Sequence, residues 1–209
     1  MASKTEIANR ALFKLGSERI ESLDQDTPAA AIIKESWDTI VNDELARYPW
    51  VFAKAYAQLA ATTTTPAFRW QRQFNRAADD LRLIEVGVDQ AWASWEIGRT
   101  FELQGRLILT DMDAPLNVSY VRCVTNSGEF DAPFVEALAC RLAVELCQII
   151  TGSVSRKELV DRDYARSIAG AKRANAIQSP PRMIGGNEPF NAARHYGSLP
   201  ATINPWTVR

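Results

Sequence analysis

The sequence predicts an α+β protein: a four-helix bundle with an antiparallel β domain inserted in its middle and an extended C-terminal arm. Three observations lead there. Capped apolar patterns of helical period mark residues 3–48 (helices 1 and 2) and 131–177 (helices 3 and 4). Between residues 50 and 127 the apolar period drops to that of a strand, and residues 178–209 keep neither period. A chain of 209 residues, 46% hydrophobic and 23% charged, is long enough to bury a core that needs no staples.

Ser3 and Glu6 stand at capping-box spacing, and Ile7, Ala11, Leu12 and Leu15 give a helical face that stops at Gly16. Thr27-Pro28 opens the second helix, with Thr as cap and Pro at the first helical position. Its buried face reads Ile33, Trp37, Ile40, Val41, Leu45 and Tyr48, and it must end before Pro49. From there Val51, Ala53, Ala55, Ala57 and Leu59 alternate with Phe52, Lys54, Tyr56 and Gln58, which predicts a strand. Phe68, Trp70 and Phe74 alternate with Arg69, Gln71, Gln73 and Asn75, which predicts a second strand, half-buried. Further strands at 80–87, 95–103, 106–111 and 115–124 follow at the spacing of an antiparallel meander. In the second of these, Trp95, Ile97, Phe101 and Leu103 face inward. The turns fall at Val88-Asp89-Gln90, Gln104-Gly105 and Asp111 to Pro115.

The third helix, Asp131 to Gly152, is the predicted core element. Asp131 can cap it, Pro133 suits its first turn, and Gly152 can end it. Phe134, Leu138, Leu142, Leu146 and Ile150 recur along it, flanked by Val135, Ala139, Val144 and Ile149. Past the first turn the strongly polar side chains are Arg141, Glu145 and Gln148, which share one narrow stripe. A helix this apolar is wrapped on most sides. Ser155 and Glu158 then suggest a cap for a last helix with Val160, Tyr164, Ile168, Ala171 and Ala174 inward and Glu158 paired with Arg162 outside. The remaining residues are rich in Pro and Gly, yet carry Met183, Ile184, Phe190, Tyr196 and Trp206, too apolar for a solvated tail. They read as an arm that packs on something else.

Composition narrows the function classes. A formal net charge of −1 gives no general affinity for nucleic-acid phosphate. No apolar run is long enough for a membrane span, and the N-terminal segment lacks a signal-peptide core. Cys123, Cys140 and Cys147 read as three reduced, buried thiols of a protein made in a reducing compartment. The single histidine, His195, lies in the arm, where a nucleophilic site would lack rigid support, and no zinc ligand set or phosphate-binding loop occurs. The close carboxylate pairs Asp24/Asp26, Asp79/Asp80 and Asp111/Asp113 lie in connectors, where turn-making explains them. Arg69, Arg72, Arg76 and Arg82 interleave with Phe68, Trp70 and Phe74 as in single-strand binders. A sheet with one aromatic face in the core and a basic outer face, neutralised by Asp79, Asp80 and Glu85, explains the same pattern better. No catalytic residue, metal or cofactor is expected.

The order of these segments resembles the head-to-tail adaptor (connector) family of tailed bacteriophages, which includes the tail tubular protein A of podoviruses. The resemblance runs through Glu6 to Ala30, Glu44 to Ala60 and Ser119 to Ser153, then the charged helix with Asp163-Tyr164. Its most specific parts are Arg47-Tyr-Pro-Trp-Val-Phe-Ala53 and Phe130-Asp131 leading into Phe134-Val-Glu-Ala-Leu138. It implies a helical bundle with an inserted β domain, assembled as a ring, dodecameric in the family, in the virion neck between portal and tail. Such a ring extends the channel that double-stranded DNA traverses without specific binding, and offers a platform to the tail or nozzle protein. On this reading the protein is not an enzyme. It is made in the host cytoplasm, the arm is the portal-docking element, and Arg141, Glu145 and Gln148 are subunit contacts or channel-facing groups. The alternatives are a carboxylate-dependent glycan (cell-wall) hydrolase and a single-strand nucleic-acid-binding module.

Overall fold

Three of the four described α-helices begin at a side-chain cap. The computed structural model describes residues 2–87 and 101–179. Helix α1 (Lys4–Leu15) starts at Ser3, whose side chain accepts from the Glu6 N–H, and stops at Gly16 with φ 72. Helix α2 (Pro28–Arg47) starts at Thr27, which accepts from the Ala30 N–H. Helix α3 (Ala132–Thr151) ends at Gly152 with φ 59, and α4 (Val154–Gln178) begins one residue later at Ser153, which accepts from the Arg156 N–H.

Two expected caps are corrected. Asp131 makes no side-chain cap bond at α3, because Pro133 occupies the first turn and removes a donor that such a cap would serve. The cap of α4 is Ser153, not Ser155: the left-handed Gly152 reverses the chain at once, so the next residue takes that position. Arg162 pairs with the backbone carbonyl of Glu158 (3.2 Å) rather than with its carboxylate.

Phe134, Leu138, Leu142 and Leu146 of α3 are buried, and α3 packs against α1, α2 and α4. It is the hub of the larger core, to which α1 gives Ile7, Ala11, Leu12 and Leu15 and α2 gives Ile33, Trp37, Ile40, Val41 and Leu45. In its last turn Ile150 still packs on that core. Ile149, expected inside, is 61% exposed. Cys140 and Cys147 are buried free thiols, whereas Cys123 is half-buried, its sulfur 3.2 Å from Asn42 Oδ1.

Between α2 and α3 the described residues form six strands: β1 (Lys54–Leu59), β2 (Arg72–Asn75), β3 (Asp80–Val86), β4 (Phe101–Gln104), β5 (Leu107–Thr110) and β6 (Leu116–Arg122). They make two antiparallel three-stranded sheets, ordered β1-β6-β3 and β2-β5-β4, in place of the expected meander. Alternation gives each strand two faces but does not name its neighbours. The most buried strand, β6, takes a centre and draws β1 and β3 to its sides. Its Leu116, Val118 and Tyr120 join Phe74 and Ile108 of the other sheet in a second, smaller core, while Val121 points into the helical core. In β3 the two residues skipped by its register shifts, Leu81 and Ile84, both pack on the helical core. The bulges aim this strand at two cores at once.

The strand expected from Trp50 begins only at Lys54. Residues Val51–Ala53 form a 3-10 turn, which leaves Val51 39% exposed and turns Phe52 inward. The cause is a pinned corner. The Trp50 indole donates to the Glu44 carbonyl (3.0 Å), and Asn175 of α4 accepts from the Val51 N–H (2.7 Å) and donates to the Pro49 carbonyl (3.3 Å). Trp50, Phe52, Phe130 and Phe134 then meet in one aromatic cluster with ring centroids 4.9–6.1 Å apart. A second joint is Arg82, whose guanidinium donates to the Ala46 and Arg47 carbonyls at the end of α2.

Phe68, expected to share the buried face of Phe74, is 82% exposed, since regular pairing of β2 starts only at Arg72. Leu103, also expected inside, is 46% exposed. The Val88-Asp89-Gln90 turn, the first part of the strand expected at 95–103, His195 and the arm residues Met183, Ile184, Phe190, Tyr196 and Trp206 lie outside the described residues.

Candidate functional site

The polar stripe of α3 leads to the most elaborate polar cluster of the helical half. Arg141 and Glu145, one turn apart, form an ion pair (Nη2 to Oε1, 2.7 Å). Arg141 is drawn inward rather than displayed, with 22% side-chain exposure, because α2 places Glu44 beneath it. Glu44 follows Trp37, Ile40 and Val41 at helical spacing on the buried face of α2, and only 1% of its surface is exposed. Its Oε1 accepts from the Tyr164 hydroxyl of α4 (2.7 Å) and lies 3.5 Å from Arg141 Nε and 3.8 Å from Arg47 Nε. Arg141 Nε is close enough for an ion pair yet not aligned for a hydrogen bond, and Glu44 Oε2 has no hydrogen-bond partner. The Arg141 guanidinium also lies 5.9 Å from the Tyr164 ring centroid. One carboxylate thus ties α2, α3 and α4 together.

Two hollows flank this cluster. One, of about 310 Å³, is lined by Glu44, Arg47, Trp50 and Tyr164. The other is a groove of about 570 Å³ between α2 and α3, lined by Glu35, Asp43, Arg141 and Glu145 among others. Burial, then the hydrogen bond to Glu44 and its charge, push the Tyr164 hydroxyl up to about 12. At neutral pH it is a proton donor held in place and not a base. The cluster is suited to fixing helices; its outward parts are Glu145 and Gln148, both exposed. Glu44 escaped the sequence reading, although a carboxylate at a buried-face position of α2 is a signal that could have found it.

Five of the six carboxylates in the close pairs have polar partners among the described residues. Asp24 is bound by Lys34 (2.7 Å), whose hydrogen bond and charge hold it below the usual carboxylate range. Asp111 accepts from the Gln71 N–H (2.9 Å), and Asp113 pairs with Arg72 (2.8 Å). Asp79 accepts from the Tyr120 hydroxyl (3.0 Å), and buried Asp80 pairs with Arg76 (2.6 Å). The interleaved arginines are engaged too: Arg69 lies 3.5 Å from Glu102, which also accepts from the Trp70 indole (3.1 Å). Among the described residues no group of three or more His, Cys, Asp or Glu could hold a metal ion, and no helix is long and apolar enough to cross a membrane.

Compared with protein-family models and with curated proteins, the chain matches none.

Proposed function

We propose that this chain is a structural virion protein, a head-to-tail adaptor whose copies form a ring on the portal, extend the DNA channel and carry the tail or nozzle protein. One observation carries the reading. The two stretches in which the resemblance is most specific, Arg47–Ala53 and Phe130–Leu138, are far apart in sequence yet meet in the aromatic cluster of Trp50, Phe52, Phe130 and Phe134. A resemblance concentrated in residues that pack on one another is what a shared scaffold would leave. We read the four helices, with α3 packed against the other three, as a bundle with the strands inserted between its second and third helices. A neck subunit needs stiffness and lateral surfaces rather than a poised acid or base, and a Glu44–Arg141–Tyr164 tie that clamps three helices suits that demand.

In this reading residues 178–209 are the portal-docking arm, anchored by Met183, Ile184, Phe190, Tyr196 and Trp206, and Glu145 and Gln148 belong to a lateral or channel-facing surface. The full chain mixed with the portal of its virus should add a ring visible by electron microscopy, and a portal that stays bare sinks the proposal. A chain ending at Ser179 should bind that portal at least about tenfold more weakly, since isolated large apolar anchors carry most docking energy. Unchanged affinity would remove the arm from the mechanism.

A further inference from the structure

The surfaces of α2 and α4 are unlike in charge, and among the described residues each keeps charged groups without an ion-pair partner. Helix α4 carries six Lys and Arg against three Asp and Glu, whereas α2 carries two against four. At about 100° per residue, Arg162, Arg166 and Arg173 fall on one stripe of α4, diametrically opposite buried Val160 and Ala171. Arg166 is 82% exposed and reaches only Asp163, at 4.0 Å, and Arg173 has no ion-pair partner among the described residues. Leu159 (46% exposed) and Ile177 (86% exposed) border the stripe. Gly170 lies beside it, on the edge that Leu159 and Ile177 form. A methyl group there would meet nothing within 4 Å, so no contact among the described residues of this chain calls for a glycine in mid-helix.

The counterpart is the groove between α2 and α3. Its lining includes three carboxylates, Glu35, Asp43 and Glu145, with Ile32 and Ile40 supplying apolar floor; Asp43 and Glu145 each pair with an arginine of the same copy, Arg47 (2.6 Å) and Arg141 (2.7 Å). Glu35 has no ion-pair partner among the described residues. Arg162 to Arg173 spans about 17 Å along its helix and Glu35 to Asp43 about 12 Å, so the two rows are of similar length. We infer that the α4 stripe of one copy docks in the α2/α3 groove of a second copy. The charges and apolar borders match, and Gly170 lets the two backbones approach closely. Because the surfaces differ, the contact is head-to-tail, the kind that propagates until a ring closes. The inference deepens the ring reading above, and a second copy is its only occupant.

The test is sedimentation of the purified full chain at low and moderate salt. Wild type should self-associate, less so as salt rises. Arg162→Glu with Arg166→Glu and Arg173→Glu should weaken association by about 100-fold or more, and Glu35→Lys with Glu145→Gln should do the same from the other side. One chain carrying both sets should recover to within about tenfold of wild type, which a folding defect could not produce. Gly170→Ala should raise the melting temperature of the monomer yet weaken association. A monomeric wild type, insensitivity to either set, or failure of the combined chain to recover overturns the inference. So does a stripe reversal that abolishes binding to a DNA duplex and spares self-association. Since the portal is absent, the outcome is separate from that of portal binding: self-association without portal docking would sink the neck reading and keep this contact.

Discussion

Among the described residues, the helical part and the strand part each bury one carboxylate beside an arginine, and the two arrangements differ in reach. Asp80, 5% exposed, pairs with Arg76 four residues earlier at 2.6 Å, while neighbouring Asp79 takes the Tyr120 hydroxyl. Glu44 is bound instead by Tyr164 from 120 residues away and attended by two arginines at 3.5 and 3.8 Å. In both carboxylates one oxygen lacks a hydrogen-bond partner. The first arrangement is a single strong bond that closes the approach to β3; its hydrogen bond to Asp80 raises the Arg76 pKa. The second is a set of looser, shared contacts that fixes three helices. A short local pair has no substitute, whereas a shared one degrades by degrees.

The sharpest way to break this comparison is to remove each arginine in turn. Arg76→Ala removes the one ion-pair partner that buried Asp80 has among the described residues, which should cost about 3–5 kcal/mol of unfolding free energy. Arg141→Ala leaves Glu44 its hydrogen bond from Tyr164 and the more distant Arg47, so the loss should be smaller, about 1–3 kcal/mol. Urea unfolding of both variants measures the difference. Equal losses would show that Arg47 and Tyr164 do not compensate, and the two clusters would then be alike in kind.

The same contrast explains what the sequence could reveal. Asp80 could be assigned to a neighbouring arginine because Arg76 is four residues away, whereas Asp79, expected to neutralise the same patch, takes the hydroxyl of distant Tyr120. The helix faces of Ile7 to Leu15, Ile33 to Leu45 and Phe134 to Leu146 were legible for a similar reason, since a period and a cap are local properties. Pairings between distant segments were not. Nothing in the spacing of Glu44, Arg141 and Tyr164 brings them together, and nothing in strand alternation says that β6 lies between β1 and β3. The aromatic pattern around Phe68 misled for the opposite reason: its alternation with Phe74 is genuine, but regular strand pairing does not extend back to it.

The smallest effect follows from the tyrosines, one in each cluster. Tyr164 is pushed up to about 12 by burial, then by its hydrogen bond to Glu44 and that charge, against the pull of Arg47 and Arg141. Tyr120 is raised by burial and by Asp79. A tyrosine loses its proton to become charged, and in the unfolded chain it does so near pH 10. Between about pH 10 and 12 the folded chain therefore keeps a proton at Tyr164 that the unfolded chain has released, and stability falls as pH rises through this window. Below it the contribution is whole. Tyr164→Phe should cost stability at neutral pH by losing the bond to Glu44, and should flatten the decline above about pH 10, while Tyr120→Phe flattens it less. Urea midpoints followed from about pH 8 to 11 measure both slopes. If Tyr164→Phe leaves the alkaline slope of wild type intact, the hydroxyl is not held by Glu44 in solution, and the three-helix tie reduces to its arginines.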